Sequence, residues 1–172
     1  MEIRKASKED VKSVSRVYID SWRTTYRGLV PEDYLDELSY EDAEKRWIDF
    51  SNNENGPFIY VAINDTGKII GFASGKSIYE NNFDGELNSL YLLQECRGLG
   101  VGRYLVSAIA KHFKEKGTYS MMVWVMKQNK SGLGFYERMG GKEYIHRTST
   151  FGGTVVEDVA YVWKDISELC VE

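Results

Sequence analysis

The chain has 172 residues, 42% of them hydrophobic and 13% aromatic, which is enough to bury one substantial core and argues for one domain, 1–172. Its formal net charge of −4, with Lys and Arg scattered along the chain, excludes the basic stripe of a nucleic-acid binder. It has neither a signal-peptide core nor a run of about eighteen apolar residues, and Cys96 and Cys170 lack CxxC or Cys/His spacing, so a cytoplasmic chain without a metal, membrane or nucleic-acid partner is expected.

Residues 2–6 read as a first strand. Ser7 follows as a helix cap, with Val11, Val14, Tyr18 and Trp22 at helical spacing up to about Tyr26, and Gly28 ends the helix. Pro31 suits the first turn of a short second helix, and Ser39 caps a third that carries Ala43, Trp47 and Phe50. The pattern then changes to sheet. Residues 58–63 and 69–73 flank Asn64-Asp65-Thr66-Gly67 as a β-hairpin, and 85–93 form a fourth strand. An amphipathic helix over 101–113 places Val101, Leu105, Ile109 and Phe113 on one face. The nearly continuous apolar run 119–126 reads as a strand covered on both sides; a helix over 130–138 and strands near 142–147 and 155–163 follow.

Between the fourth strand and its helix stands Arg97-Gly98-Leu99-Gly100-Val101-Gly102-Arg103. A strand feeding a glycine-rich turn that opens a helix brings unpaired N–H groups and the positive end of a helix dipole to one point, an anion site. Gly98, Gly100 and Gly102 are expected to allow φ > 0 and the close approach of a phosphorylated ligand. The P-loop pattern is absent, because no Gly-Lys-Ser/Thr stands at its spacing. The dinucleotide pattern fails too: its third glycine falls on Arg103 or Leu105, and the next strand ends in Lys127-Gln128 rather than a ribose-binding carboxylate.

The third pattern, Arg/Gln-x-x-Gly-x-Gly/Ala, is met by Arg97, Gly100 and Gly102 and resembles the acyl-CoA-binding motif of the GNAT acetyltransferase superfamily. One helix and one strand later, Asn129-Lys130-Ser131-Gly132-Leu133-Gly134-Phe135-Tyr136-Glu137-Arg138-Met139-Gly140 is similar to that superfamily's Asn-x-x-(small)-x-x-Phe-Tyr-x-(Lys/Arg)-x-Gly. Gly141 departs from it, because an aromatic or aliphatic residue is usual there. The resemblance implies an α+β fold with a mixed central sheet of about seven strands flanked by about four or five helices. In that fold the fourth and fifth strands splay around a groove for pantetheine. The implied activity is N-acetyl transfer, with acetyl-CoA as cosubstrate and the primary amine of a small molecule or peptide as acceptor. The alternative is a catalytically silent acyl-CoA sensor of the same fold, and a homodimer stays open.

On that resemblance the diphosphate lies over the N–H groups of Gly98, Leu99, Gly100, Val101, Gly102 and Arg103. Arg97 and Arg103 offer charge, and Asn129 is a cofactor contact that also suits a helix cap. The backbone of Leu90, Tyr91 and Leu92 pairs with the pantetheine amides and turns an N–H to the thioester oxygen. Tyr136 matches the tyrosine that protonates the departing thiolate. Some relatives carry a glutamate base where this chain has Trp124, which leaves Glu86 on the fourth strand, water, or no base. Trp22, Tyr26, Tyr34 and Trp47 are expected to wall the acceptor region, and Glu32, Asp33, Asp36 and Glu37 to attract a cationic amine; amphipathic helices also bury such aromatics and solvate such carboxylates. Cys96 has no neighbouring His and is read as non-nucleophilic, and His112 and His146 as structural.

Overall fold

The computed structural model describes residues 1–52 and 56–171. In chain order come β1 (Glu2–Lys5), α1 (Val11–Thr25), α2 (Glu32–Asp36), α3 (Tyr40–Ser51), β2 (Phe58–Ile63), β3 (Ile69–Glu80) and β4 (Phe83–Leu92). Then follow α4 (Val101–Glu115), β5 (Met121–Met126), α5 (Lys130–Arg138), β6 (Lys142–Phe151) and β7 (Thr154–Trp163). The seven strands form one sheet in the order β1-β2-β3-β4-β5-β7-β6. Only β4 and β5 pair in parallel; the other neighbours are antiparallel.

Each face of the sheet follows from the alternation along its strands. On β5, Met121, Val123 and Val125 join Leu105, Ile109 and Phe113 of α4 and Tyr136 of α5 in the largest core cluster, while Met122 and Trp124 belong to a cluster with Ile78, Phe83 and Ala160. Leu105, Ile109 and Phe113 are the helical stripe that the sequence spacing predicts, and burying each contributes about 1.5–3 kcal/mol. On the other side of the sheet α1 and α3 cover Ile59, Val61 and Phe72 with Val14, Ile19, Ala43 and Trp47.

Several boundaries differ from the sequence reading. β3 runs on to Glu80 rather than stopping at Ala73. Gly75, whose added Cβ would lie 2.6 Å from the Phe58 ring, sits where the apolar alternation lapses, so the strand's second half leaves little pattern. β6 likewise extends to Phe151, on the edge of the sheet. Ser7 does not cap α1 directly: a 3-10 turn at Lys8–Asp10 intervenes, and the Asp10 carboxylate accepts from the Ser7 N–H at 2.7 Å and from Arg4 at 2.7 and 3.0 Å. Further 3-10 turns at Gln94–Cys96 and Ile166–Leu169 leave no periodic signal.

Two irregularities shape the centre of the sheet. The β3–β4 register jumps from Ser74↔Ser89 to Gly75↔Leu87, leaving Asn88 as an extra residue whose Nδ2 donates to Ser74 and Ser89 Oγ, each at 3.2 Å. β4 and β5 pair only at Gly85↔Met121 and Glu86↔Met122, and beyond these two positions they part.

Candidate active site

Where β4 and β5 part, a cleft of about 510 Å³ passes between Leu90, Tyr91 and Leu92 on one strand and Val123, Trp124 and Val125 on the other. Its remaining walls come from the C-terminal turn of α1, the glycine turn before α4, and α5. Leu90 and Leu92 pack on the α4 side, and Tyr91 packs against α1 through Tyr18, whose ring centroid lies 5.4 Å away. The β4 edge facing the cleft keeps its backbone groups unpaired with β5, as an added strand requires.

At the mouth of the cleft, Gly98 and Gly100 take φ of 77° and 82°, a left-handed conformation that favours glycine. Gly102 corrects the expectation of a third positive φ: it lies inside α4, where an added Cβ would stand 3.2 Å from the Phe135 ring, so it serves close packing instead. The N–H groups of Gly98, Leu99, Gly100, Val101 and Gly102 donate to no described residue. Leu99 (72% exposed) points its side chain to solvent and Val101 is buried in the core, and neither is among the residues that line the cleft. Arg97 lines the cleft while its Nε donates to the Leu92 carbonyl at 3.3 Å and its Nη2 to Thr25 Oγ1 at 3.0 Å. It thus braces the turn against β4 and α1. Arg103 and Cys96 also line the cleft.

Asn129 ends β5's continuation and caps α5, its Oδ1 accepting from the Gly132 N–H at 3.0 Å, and it lines the cleft as well. A Cβ on Gly132 would lie 2.8 Å from Asn129 Nδ2, which explains the small residue at this point of the motif. Tyr136 on α5 is only 7% exposed, with its ring 5.3 Å from Phe135 and 6.1 Å from Trp163, and no described residue hydrogen-bonds its hydroxyl. Burial pushes this phenol well above its ordinary pKa, and the neighbouring Tyr26 adds to the shift. The group therefore stays protonated throughout the physiological range.

The acceptor residues divide. Tyr26 lines the cleft, its phenol pKa raised by burial, and packs at a tilt against Trp22, ring centroids 4.3 Å apart. Trp22 stands behind it, donating its Nε1–H to the Tyr91 hydroxyl at 3.0 Å and packing against Phe151 and Tyr34. Trp47 is not part of this wall; it packs into the core against Tyr18, Phe50 and Phe72. Glu32, Asp33, Asp36 and Glu37 are exposed and outside the cleft lining. Glu86 is also absent from that lining, its carboxylate 3.5 Å from Lys76 Nζ. Because of the extra residue at Asn88, Glu86 sits on the sheet face opposite the one that Leu90 and Leu92 present to α4. Among the described residues no Asp or Glu lines the cleft, and no group of His, Cys, Asp and Glu has the arrangement of a metal site.

Sequence reasoning missed Thr24, Thr25, Ser131, Phe135 and Arg138 as lining residues. Phe135 and Arg138 lie within the second motif, so their sequence signal was present; Thr24 and Thr25 show only as a polar end to α1's apolar stripe. His112 stacks on Phe58 at 3.7 Å with Nδ1 3.3 Å from the Tyr60 hydroxyl, and His146 sits between Glu143 and Glu157, both away from the cleft.

Comparison with known proteins gives the same reading. Residues 16–141 match the model of the acetyltransferase (GNAT) family. An uncharacterized N-acetyltransferase of Bacillus subtilis, YuaI, is 36% identical over 97% of this chain and 95% of its own length. A spermidine N(1)-acetyltransferase of Thermoplasma acidophilum is 30% identical over 83% of this chain and 88% of its own. The crystal structure of the PaiA N-acetyltransferase of Thermoplasma acidophilum, in complex with coenzyme A, superposes with a TM-score of 0.70 at 29% identity, covering 91% of this chain and 96% of that one. The chain belongs to the acetyltransferase (GNAT) family and is an acetyl-CoA-dependent N-acetyltransferase.

Proposed function

We propose that this enzyme acetylates a primary amine of a small molecule or peptide in the cytoplasm, without a metal, as one domain spanning 1–172. The observation that carries the reading is a single cleft with the N–H groups of Gly98, Gly100 and Gly102 at one end and the Tyr136 hydroxyl in its wall, none of them partnered among the described residues. The cytoplasmic reading is supported by the free Cys96 and Cys170. No helix among the described residues is long and apolar enough to cross a membrane.

The residues present fit acetyl-CoA. The N–H groups at 98–102 and the N-terminus of α4 suit a diphosphate, with Arg103 beside them, and the free β4 edge at Leu90, Tyr91 and Leu92 suits the pantetheine amides. When bound, acetyl-CoA supplies an acyl thioester, at whose carbonyl carbon a C–N bond to the acceptor forms as the C–S bond breaks. A β4 N–H bonds the carbonyl oxygen as charge grows there. Tyr136, kept neutral by burial, gives its proton to the departing sulfur and is reprotonated by solvent. With Glu86 held at Lys76 and no carboxylate in the lining among the described residues, the amine's own proton leaves to water. Asn129 holds the start of α5, and with it Tyr136, in place.

The test is thiol release from acetyl-CoA across a panel of polyamines, amino acids, aminoglycosides and peptides, run beside thermal stabilisation by acetyl-CoA. Stabilisation with thiol release for at least one amine supports the reading. Stabilisation with no release for any amine points instead to a silent acyl-CoA binder.

A further inference from the structure

The sheet face that carries Trp124, opposite α4 and α5, holds an arginine that the mechanism above does not use. Arg147 on β6 lies across the sheet from Trp124, its guanidinium carbon 4.1 Å from the centroid of that ring. Its Nε donates to Asp158 Oδ2 at 3.2 Å, and Ser149 Oγ donates to the same oxygen. Asp158, on β7, is 6% exposed, while the Arg147 side chain is about half-exposed at 49%. The two terminal nitrogens, Nη1 and Nη2, have no acceptor among the described residues.

Two contacts therefore hold the guanidinium, and its outer fork is left open. Trp124 fixes one face, the buried Asp158 fixes Nε, and the β6–β7 pairing Arg147↔Asp158 fixes the backbone beneath. Trp124, the ring beside the arginine, lines the cleft on β5, and Arg147 stands next to it, just outside that lining. Two parallel N–H donors on a rigid plane match a carboxylate bidentately, whereas a polyamine offers them no acceptor and brings only like charge. Because Asp158 already balances the arginine's charge, discrimination rests on the geometry of the fork more than on net attraction.

We propose that Arg147 reads a carboxylate on the acceptor, so that the substrate class is amines that also bear a carboxylate, such as amino acids or short peptides. This rests on the acetyl-transfer reading given above and narrows its acceptor. Asp158 and Trp124 act as positioning residues that hold the fork.

The experiment compares L-methionine, L-glutamate and L-phenylalanine with their α-carboxamides, and with spermidine, as acceptors for the wild type, Arg147→Gln and Arg147→Lys. CoA thiol release gives kcat and KM separately. In the wild type the acids should exceed their amides by about tenfold or more in kcat/KM, and spermidine by more. In Arg147→Gln the acid-to-amide ratio should fall to about one, through KM rather than kcat. Arg147→Lys keeps a cation beside Asp158 and loses the fork, so it should fold as the wild type does and show an intermediate ratio. Amides or spermidine used as well as the acids would overturn the carboxylate subsite while leaving acetyl transfer intact. So would an equal loss for acid and amide in both variants, which a merely structural arginine would give. Failure of every amine to release thiol would overturn the acetyl-transfer reading and the subsite with it.

Discussion

Trp163 occupies the space that a side chain on Gly141 would need: a Cβ there would stand 2.8 Å from the indole ring and 2.9 Å from the Tyr136 carbonyl oxygen. The indole donates its Nε1–H to the Met139 carbonyl at 2.9 Å and lies 6.1 Å from the Tyr136 ring. The aromatic group missing after the second motif's glycine is thus supplied from β7, behind the proposed acid.

Substituting Gly141 by Ala should therefore overpack this corner. We expect a loss of about 1–3 kcal/mol, a melting temperature lower by roughly 2–4 °C per kcal/mol, measured by thermal unfolding. An unchanged melting temperature would mean that Trp163 has room to move aside.

Tyr136→Phe keeps the ring's packing and removes the proton donor. Turnover should drop by about tenfold or more while the Kd for acetyl-CoA changes little. Calorimetry gives the Kd and thiol release gives kcat, and undiminished turnover would remove the phenol from the mechanism.

Gly100→Asp places a carboxylate among the unpaired N–H groups and forces a side chain onto a φ of 82°. Gly100→Ala carries only the backbone strain, about 1 kcal/mol. The aspartate variant should lose acetyl-CoA affinity by at least about tenfold more than the alanine variant, because only it meets the phosphates with like charge. Equal losses would show that backbone strain, not anion binding, sets the effect.

With no carboxylate in the cleft lining among the described residues, catalysis should follow the fraction of unprotonated amine. The logarithm of kcat/KM should rise with pH at a slope near one up to the acceptor's own pKa, and Glu86→Gln should leave the profile in place (about threefold at most). A profile that bends at a lower pKa, and loses that bend in Glu86→Gln, would restore Glu86 as the base.

Acid stability turns on Asp10. The hydrogen bonds from Arg4, with those from Ser7, hold its carboxyl down to about 2 from an ordinary 3.8. A carboxyl whose pKa is lower folded than unfolded adds stability above the unfolded value and loses it as pH falls. The contribution, at most about 2 kcal/mol, is complete near neutrality and fades between roughly pH 4 and pH 2. Asp10→Asn should be less stable than the wild type to urea at pH 7 and nearly equal to it at pH 2. A gap that persists at pH 2 would assign the loss to packing.

The parts legible in the sequence were those set by local chemistry. The glycines at 98 and 100 announce the left-handed turn before α4 because such backbone follows from residue type, and the stripe Leu105, Ile109, Phe113 announces the buried face of α4. Asn88, an extra residue that no periodicity reveals, puts Glu86 on the sheet face of Tyr91 and Trp124, and its place outside the cleft lining could not be read from the sequence. Trp47 looked like its neighbour Trp22, yet α3 crosses α1 so as to bury it against Phe72. The Arg147–Trp124 contact depends on the register of three strands that are not in chain order, β5, β7 and β6, and so had no local trace.

The two-rung ladder between β4 and β5 also bears on mechanics. It leaves the domain as two half-sheets joined along a short seam, and a seated pantetheine arm would act as a keystone that completes their hydrogen bonding. Occupancy should then slow amide hydrogen exchange along both lips of the seam, so that loading the donor stiffens the architecture as it primes the chemistry.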